Sequence, residues 1–339
     1  MDYGIGVGGS LSLVGPMAKM VEDAGFESCW AAETQNSAFV TASAAIHATS
    51  RIKVGTSIAL AFPRSPTITA MEAADLDELS GGRFIIGMGT QVKRINEERF
   101  SVPFEHPAPK IKEYAQVMRT VWAANRGDDV THEGRFYKVT RPVFGGRRQP
   151  PPRDVPIYLA AVGKIMARTC GEVADGLIAH PLASPRYITE VVKPAVAEGA
   201  ERAGRKADEC NITTDWMIAI SDDVDAARRE VKLQLAFYST TRTYSPILEL
   251  HGKADIVPDL RAAFERKDHD AMIDLIDDEM CDAMAIAGSP QECKEKAEAW
   301  GRETGIDRLL VAGPWYGPRP ERMFENYQAL VETFGSKLS

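Results

Sequence analysis

Eight short runs of β-branched and apolar residues are spread along the chain, and most are followed by a segment with helical periodicity. The residues from Ile111 to Trp122 show that periodicity clearly, with apolar positions spaced to form one face of a helix. Buried strands alternating with amphipathic helices indicate a parallel sheet covered by helices, and eight such units favour a closed (β/α)8 TIM barrel over an open sheet. The predicted strands are Tyr3–Val7, Ser28–Ala32, Lys53–Ile58, Phe84–Met88, Ile157–Ala161, Gly176–Ala179, Ile212–Ile220 and Arg308–Ala312.

The spacing of the predicted strands is uneven. About seventy residues separate the fourth strand from the fifth, and nearly ninety separate the seventh from the eighth. Neither segment carries a sheet pattern of its own. We therefore predict one domain spanning residues 1–339, with insertions at about 126–154 and 238–290 over the C-terminal, mouth end of the barrel. Active sites of such barrels lie at that end, so each residue directly after a strand is a candidate for function.

Composition narrows the class of protein. The formal net charge of −8 argues against nucleic acid or an anionic membrane as the main partner. No apolar stretch approaches the ~20 residues of a membrane span, and the chain begins with a strand pattern, not a basic leader. The five cysteines show no CxxC spacing, which is typical of a reducing compartment, and we expect a cytoplasmic protein. The six histidines show no metal-ligand spacing, so no metal site is predicted.

The segment from Lys53 to Gln91 carries the most informative pattern. It predicts a strand, a loop, a helix and a second strand, and both strands end in small or polar residues. The backbone at these ends can approach a flat or anionic ligand. Glu33 lies at the end of the preceding strand, where a carboxylate is costly unless it is paired or functional. A helix cap, an arginine partner, and contact with a cofactor or substrate all remain open for Glu33.

Two further strand ends carry candidate chemistry. Val162, Gly163 and Lys164 follow the fifth predicted strand and begin a helix, and free N–H groups at a helix N-terminus favour phosphate. An ordinary strand-to-helix turn is the alternative. His180 follows the sixth predicted strand, where a structural hydrogen bond and a ligand or catalytic role both remain open.

Taken in order, these motifs resemble the luciferase-like monooxygenase superfamily, and within it the deazaflavin (coenzyme F420)-dependent oxidoreductases such as methylene-tetrahydromethanopterin reductase. The similarity covers most of residues 1–200 and returns near the last strand. The motifs that carry it are Ala24-Gly25-Phe26, Trp30 with Glu33, Arg51 to Thr56, Asp77 to Arg83 followed by Gly87 to Thr90, and Gly171 to Gly176.

The resemblance implies a cofactor site built from the strand ends. It implies a non-prolyl cis peptide bond between Ser57 and Ile58, forming a bulge behind the cofactor ring, and it places Glu33 near that ring. Either Glu33 or His180 is then a candidate proton source for catalysis, as is water. The residues expected to bind the cofactor are Ser57, Ile58, Gly89, Thr90, Gln91, Val162, Gly163 and Lys164.

The chain departs from the deazaflavin-dependent sugar-phosphate dehydrogenases at two positions. Thr34 stands where those enzymes have a histidine, and Thr90 where they have a glutamate, so the same alcohol oxidation is not expected. We hypothesise an F420-dependent oxidoreductase that transfers hydride between C5 of the deazaflavin and a bulky organic substrate covered by residues 238–258. The alternatives are an FMN-dependent two-component monooxygenase and a flavin-binding barrel without catalysis. The resemblance also implies a homodimer and a separate enzyme that reduces the cofactor.

Overall fold

The computed structural model describes residues 1–336, and its centre is a closed barrel of parallel strands. The strands are β1 (Asp2–Val7), β2 (Ser28–Ala31), β3 (Lys53–Thr56), β4 (Ala59–Leu60), β5 (Phe84–Gly89), β6 (His132–Glu133), β7 (Lys138–Val139), β8 (Ile157–Ala161), β9 (Gly176–Ala179), β10 (Asn211–Ile220), β11 (Ile286–Gly288) and β12 (Arg308–Ala312). The barrel runs β1-β2-β3-β5-β8-β9-β10-β12, and β12 pairs with β1 to close it. The predicted (β/α)8 barrel is confirmed, and each predicted strand ends within two residues of the observed one.

Helices follow the strands and cover the outside of the barrel. They are α1 (Leu11–Asp23), α2 (Ala38–Ala48), α3 (Pro66–Ser80), α4 (Lys93–Arg99), α5 (Pro107–Arg126), α6 (Lys164–Val173), α7 (Pro185–Tyr187), α8 (Lys193–Arg202), α9 (Val224–Ser239), α10 (Ser245–Leu250), α11 (Val257–Glu265), α12 (His269–Asp274), α13 (Asp278–Met284), α14 (Pro290–Thr304) and α15 (Pro320–Phe334). Local sequence explains several of their ends. Ser289 and Glu292 form a reciprocal capping box before α14, and Gly81 ends α3 with a left-handed φ of 66°. Within residues 1–336, no helix combines the length and the apolar character needed to cross a membrane.

The two segments predicted as insertions contain regular structure that the pattern did not show. Between β5 and β8, strands β6 and β7 form a short antiparallel hairpin. The carboxylate of Glu113, on α5, anchors this hairpin by accepting hydrogen bonds from the backbone N–H groups of Phe136 and Tyr137 and contacting Nε2 of His132. Between β10 and β12, helices α10 to α13 precede β11, which extends the upper part of β10 in parallel.

The middle of the barrel is filled by side chains that point inward from alternate positions. The five buried residues of the middle layer come from five different strands: Trp30, Ile85, Tyr158, Ile178 and Leu310. Trp30 takes the space of two missing side chains, because a Cβ at Gly55 would lie 2.4 Å from its ring and one at Gly4 would lie 2.9 Å from its Nε1. The middle of the barrel is therefore a packed floor, as expected for this fold.

Candidate active site

Above that floor, the inward positions of three strands are glycine or alanine. Residues paired across neighbouring parallel strands point to the same face of the sheet, so the strand register identifies the inward positions. They are Gly6 in β1, Gly8 directly after β1, Gly87 and Gly89 in β5, and Ala160 in β8. Gly6 is exposed although its neighbours Ile5 and Val7 are buried. The carbonyl of Thr56 covers Gly87 and the side chain of Ile58 covers Gly89, whereas a Cβ at Gly6 or Gly8 would meet almost nothing. The upper end of the barrel therefore contains a recess that is open beside Gly6 and Gly8.

A bulge between β3 and β5 forms one wall of this recess. Gly55 pairs with Ile85 and Ala59 pairs with Met88, so four steps along one strand oppose three along the other. The extra length contains the peptide bond between Ser57 and Ile58, which is cis as the resemblance implied.

Hydrogen bonds and close contacts fix the bulge against β5. Oγ1 of Thr56 donates to the carbonyl of Gly87 at 2.7 Å and accepts from its N–H at 2.9 Å, which replaces the interrupted ladder. A Cβ at Gly89 would lie only 1.9 Å from Cδ1 of Ile58. Gly89 is therefore the residue that allows Ile58 to lie across the end of β5.

Glu33, a candidate catalytic group, lies behind this bulge in an ion pair. Its carboxylate accepts from Nη1 and Nη2 of Arg64 at 2.7 and 2.6 Å, and from the backbone N–H of Leu60 at 2.7 Å. Such bidentate pairs fix geometry as well as charge. Of the roles left open for Glu33, these contacts support pairing with an arginine. A catalytic role for Glu33 stays a prediction.

Thr90 and Gln91 follow β5 directly at the mouth. Gln91 has a left-handed φ of 57°, and its side-chain oxygen accepts from the N–H of Val92 at 2.9 Å. The carbonyl of Thr90 accepts from the amide of Asn96 at 2.8 Å, which ties the strand end to α4. Both residues are partly exposed, so they can still contact a ligand in the recess.

Val162, Gly163 and Lys164 form the turn between β8 and α6. The phenol of Tyr187 donates to the carbonyl of Val162 at 2.9 Å and holds the turn. A Cβ at Gly163 would have no atom within 4 Å, so the N-terminus of α6 is open to a ligand. Lys164 is largely exposed, with its ammonium 3.8 Å from Glu198. The turn is therefore accessible to an anion, and its phosphate-binding role stays a prediction.

His180 lies at the end of β9 against two tyrosines of the second predicted insertion and its border. Its ring centroid is 4.0 Å from that of Tyr244 and 4.8 Å from that of Tyr238. Nδ1 accepts from the backbone N–H of Leu182 at 3.2 Å, so the proton of the neutral ring lies on Nε2. Burial lowers the pKa of His180 to about 3, which makes it a hydrogen-bond donor more than a source of protons. Its catalytic role also stays a prediction.

One candidate residue was missed by the sequence analysis. Asp215 lies in the middle of β10, in register with Leu310 of the barrel floor, so its side chain also points inward. Burial raises the pKa of Asp215 to about 7. The signal in the sequence was a single acidic residue inside a strand pattern, Ile212–Ile220, whose other members are threonine or apolar.

The predicted site residues share one side of the barrel mouth. They lie at the ends of β2, β3, β5, β8 and β9, which are consecutive neighbours in the barrel. Gly89 is the last residue of β5, and the residues that follow these strands are Glu33, Ser57, Ile58, Thr90, Gln91, Val162, Gly163, Lys164 and His180. Asp215 continues the series on β10. Among residues 1–336, no group of three or more His, Cys, Asp or Glu side chains is arranged to hold a metal ion.

Comparison with known proteins agrees with this architecture. The family profile described as luciferase-like monooxygenase matches residues 4–308. The chain belongs to this family. It is 40% identical over 300 residues to an uncharacterized protein of Mycobacterium tuberculosis, covering 86% of this chain and 87% of that one.

Other relatives of this luciferase-like chain have named activities. It is 32% identical over 328 residues to 5,10-methylenetetrahydromethanopterin reductase of Methanopyrus kandleri, covering 91% of this chain and 90% of the reductase. The structure of the coenzyme F420 dependent tetrahydromethanopterin reductase from M. kandleri superposes with a TM-score of 0.82 and 30% identity, covering 99% and 97% of the two chains. The resemblance to this branch of the family is therefore confirmed, and the relatives support an oxidoreductase.

Proposed function

We propose that the protein is an F420-dependent oxidoreductase that transfers hydride between the deazaflavin and a bulky organic substrate. The observation that carries the proposal is the glycine-walled recess above Trp30, bounded on one side by the Ile58 bulge. A flat ring system fits such a recess because Gly6 and Gly8 leave one wall without side chains, while Ile58 presents an apolar side chain on another. The M. kandleri relative is a coenzyme F420 dependent reductase, which supports this cofactor over FMN.

The residues of the mouth fit the parts of such a cofactor. Ser57 and Ile58 would support one face of the ring, and Gly89, Thr90 and Gln91 would line its side chain. The open N-terminus of α6 at Val162, Gly163 and Lys164 would hold the phosphate. The bound cofactor would supply hydride at C5, while the chain would bind, orient and exclude water.

The substrate side of the recess is aromatic. Phe237 stacks on Tyr316 with ring centroids 4.3 Å apart, and Nε1 of Trp315 donates to the hydroxyl of Tyr238 at 3.0 Å. Together with Tyr244, these side chains come from α9, the segment after it and the loop after β12. Their apolar faces favour a bulky organic substrate.

The long acidic tail of F420, unlike the single phosphate of FMN, calls for basic side chains near the mouth. Lys93 and Arg94 on α4 are exposed, but each lies near an acid one turn away, Glu97 at 3.9 Å and Glu98 at 2.9 Å. The basic pair near Gln91 is therefore largely compensated. An FMN-dependent monooxygenase and a flavin-binding barrel without catalysis are the outcomes that compete with the proposal.

A cofactor titration tests the proposal. F420, FMN and NADPH are titrated into the protein, and the tightest binder is then followed by absorbance with candidate substrates. We expect F420 to bind most tightly and its reduced form to be oxidised when a substrate is present. Tighter binding of FMN, with oxygen-dependent turnover, would support the monooxygenase instead, and binding without turnover would support the non-catalytic alternative.

Two lysine variants show whether the cofactor uses the predicted turn. Lys164→Ala should weaken F420 binding roughly fivefold, the effect of losing about 1 kcal/mol of screened charge interaction. Lys53→Ala removes the same charge from the opposite, N-terminal end of the barrel, where Lys53 is exposed. Its affinity should be unchanged, and equal effects of the two variants would contradict the predicted phosphate site.

The predicted homodimer and the separate cofactor-reducing enzyme also belong to the proposal. The dimer is supported by a row of exposed apolar side chains on α3, formed by Ile68, Met71 and Leu79, beside the exposed Val40 on α2. Such a row costs free energy in water and favours a covering surface.

A further inference from the structure

Asp215 is brought to the reaction site by the register of β10. Thr214 pairs with Ala179 on β9, and Asp215 pairs with Leu310 on β12. One step beyond Ala179 is His180, so Asp215, in the middle of β10, lies beside His180, level with the end of β9. Both side chains point into the recess, since Ile178 and Leu310 of the floor share their inward-facing register.

The surroundings of Asp215 leave its carboxyl group without a fixed partner. Its Oδ1 is enclosed and has no hydrogen-bond partner among the residues that the structure describes. Tyr238 on α9 lies close enough to interact electrostatically with Asp215. The hydroxyl of Tyr238 accepts a hydrogen bond from Nε1 of Trp315. An unpaired buried carboxyl is costly, and such groups are concentrated at functional sites.

The other titratable groups around Asp215 are committed to different contacts. On β9, His180 is held neutral by burial, with Nδ1 occupied by the N–H of Leu182. Burial also raises the pKa of Tyr244, which stacks on His180, to about 12. On β12, Arg308 lies two residues below Leu310, and its guanidinium contacts Asp2 at 3.5 Å at the N-terminal end of the barrel.

We propose that Asp215 is the proton-transfer residue of this enzyme, an inference that rests on the proposed hydride-transfer function. When hydride reaches the carbon of a C=N, C=O or C=C bond, the neighbouring atom gains the electron pair of the broken π bond and needs one proton. Asp215 gives its carboxyl proton to that atom, remains as a carboxylate, and takes a proton from solvent before the next turnover. In the oxidative direction the carboxylate accepts the proton that the substrate loses.

The burial of Asp215 supports this role. Burial raises the pKa of Asp215 from the ordinary 3.8 to about 7, so near neutral pH both the acid and the carboxylate are populated. A group with a pKa near the operating pH is the most effective proton donor and acceptor. Glu33, bound on both oxygens by Arg64, has no such freedom.

The test compares the wild type with Asp215→Asn, which keeps the shape of the side chain but has no carboxyl proton. Thr214→Val is the matched control, because it changes the neighbouring residue of β10, whose side chain points away from the recess. The first readout needs no cofactor: difference infrared spectroscopy of the apo protein follows the C=O band of the protonated carboxyl with pH. A band that titrates near pH 7 and is absent from Asp215→Asn supports the proposal, whereas loss of that band near pH 4 overturns it.

The second readout is single-turnover hydride transfer over a pH series, with cofactor affinity measured in parallel. We expect Asp215→Asn to lower the rate about 10²–10⁴-fold, the usual range for a lost acid–base group, and to remove the bend near pH 7. Cofactor affinity should stay within about twofold of the wild type, since a lost proton donor affects chemistry and not binding. An unchanged rate and pH profile would overturn the role of Asp215 while leaving the proposed function intact. Failure of F420 and FMN to bind the wild type would overturn the proposed function and this inference together.

Discussion

Gly89 is the position of the mouth where one added methyl group has the sharpest predicted consequence. A Cβ there would lie 1.9 Å from Cδ1 of Ile58 and 3.3 Å from Cβ of Ala160. Non-bonded carbon atoms rest at about 3.5–4.0 Å, so in Gly89→Ala the end of Ile58 must retreat by roughly 2 Å. Overpacking of this kind costs about 1–3 kcal/mol of unfolding free energy.

A double-mutant cycle isolates this contact. Ile58→Ala removes Cδ1, so Gly89→Ala should cost about 1–3 kcal/mol in the wild-type background and less than about 0.5 kcal/mol in the Ile58→Ala background. Urea unfolding of the four proteins, monitored by tryptophan fluorescence, gives the coupling free energy. Since Ile58 forms the proposed ring wall, Gly89→Ala should also weaken cofactor binding.

Gly87→Ala provides the contrast for this cycle. Its Cβ would lie 1.9 Å from the carbonyl oxygen of Thr56, and a backbone atom cannot rotate away as a side chain does. We therefore expect Gly87→Ala to cost more than about 3 kcal/mol in either background. If Gly89→Ala costs the same with and without the Ile58 side chain, the account of Gly89 as space for Ile58 is refuted.

Three further predictions concern the ion pair, the hairpin and the outer face. Glu33→Gln should lower the unfolding free energy by about 1.5–3 kcal/mol, because Arg64 loses its charged partner. The same variant should leave the pH profile of turnover unchanged, and a shifted profile would support a catalytic role for Glu33. Burial alone would raise the pKa of Glu113, but the hydrogen bonds from the hairpin N–H groups and from His132 outweigh burial, and the pKa is lowered. The ionised Glu113 therefore stabilises the folded protein above about pH 4.5, and this stabilisation is lost as the pH falls. Glu113→Gln should therefore unfold with a weaker pH dependence between pH 3 and 5 than the wild type, and identical curves would contradict this. Met71→Glu should shift the protein from dimer to monomer in sedimentation, whereas Met323→Glu, at an exposed methionine on α15, should not; a wild-type monomer would refute the dimer itself.

The barrel strands were predictable because each is a local apolar run long enough to be recognised alone. The hairpin strands β6 and β7 have two residues each and β11 has three, too short for a period to show. Their positions depend on partners: β6 and β7 on the carboxylate of Glu113, which lies about twenty residues earlier in the sequence, and β11 on the upper part of β10. The formation of these strands depends on tertiary contacts, so the residue pattern of a short segment cannot predict it.

The roles within the site were less predictable for a related reason. Both Glu33 and Arg64 were recognisable as candidates, but their pairing across 31 residues depends on the path of the loop after β3. Asp215 was visible as an acid within a strand, but both faces of a parallel barrel strand are buried, one against helices and one inside the barrel. The alternation of side chains therefore could not show which face of β10 lies inside, and only the pairing with Leu310 does.

The glycines in and above the barrel strands fall into two groups, according to whether other atoms of the chain fill the space that a Cβ would take. Gly55 makes room for Trp30, Gly87 for the backbone of Thr56, and Gly89 for Ile58, so the protein's own atoms account for these three. Gly8 and Gly163 are different, because a Cβ at either would meet no atom within 4 Å, and neither has a left-handed φ that would require glycine. Gly8 directly follows β1 and Gly163 is the N-cap of α6, and at these two positions no described residue uses the space that the glycine leaves. Both lie at the mouth, one after β1 and one at the N-terminus of α6, which supports the proposal that the volume between them is shaped for a ligand and not for the chain itself.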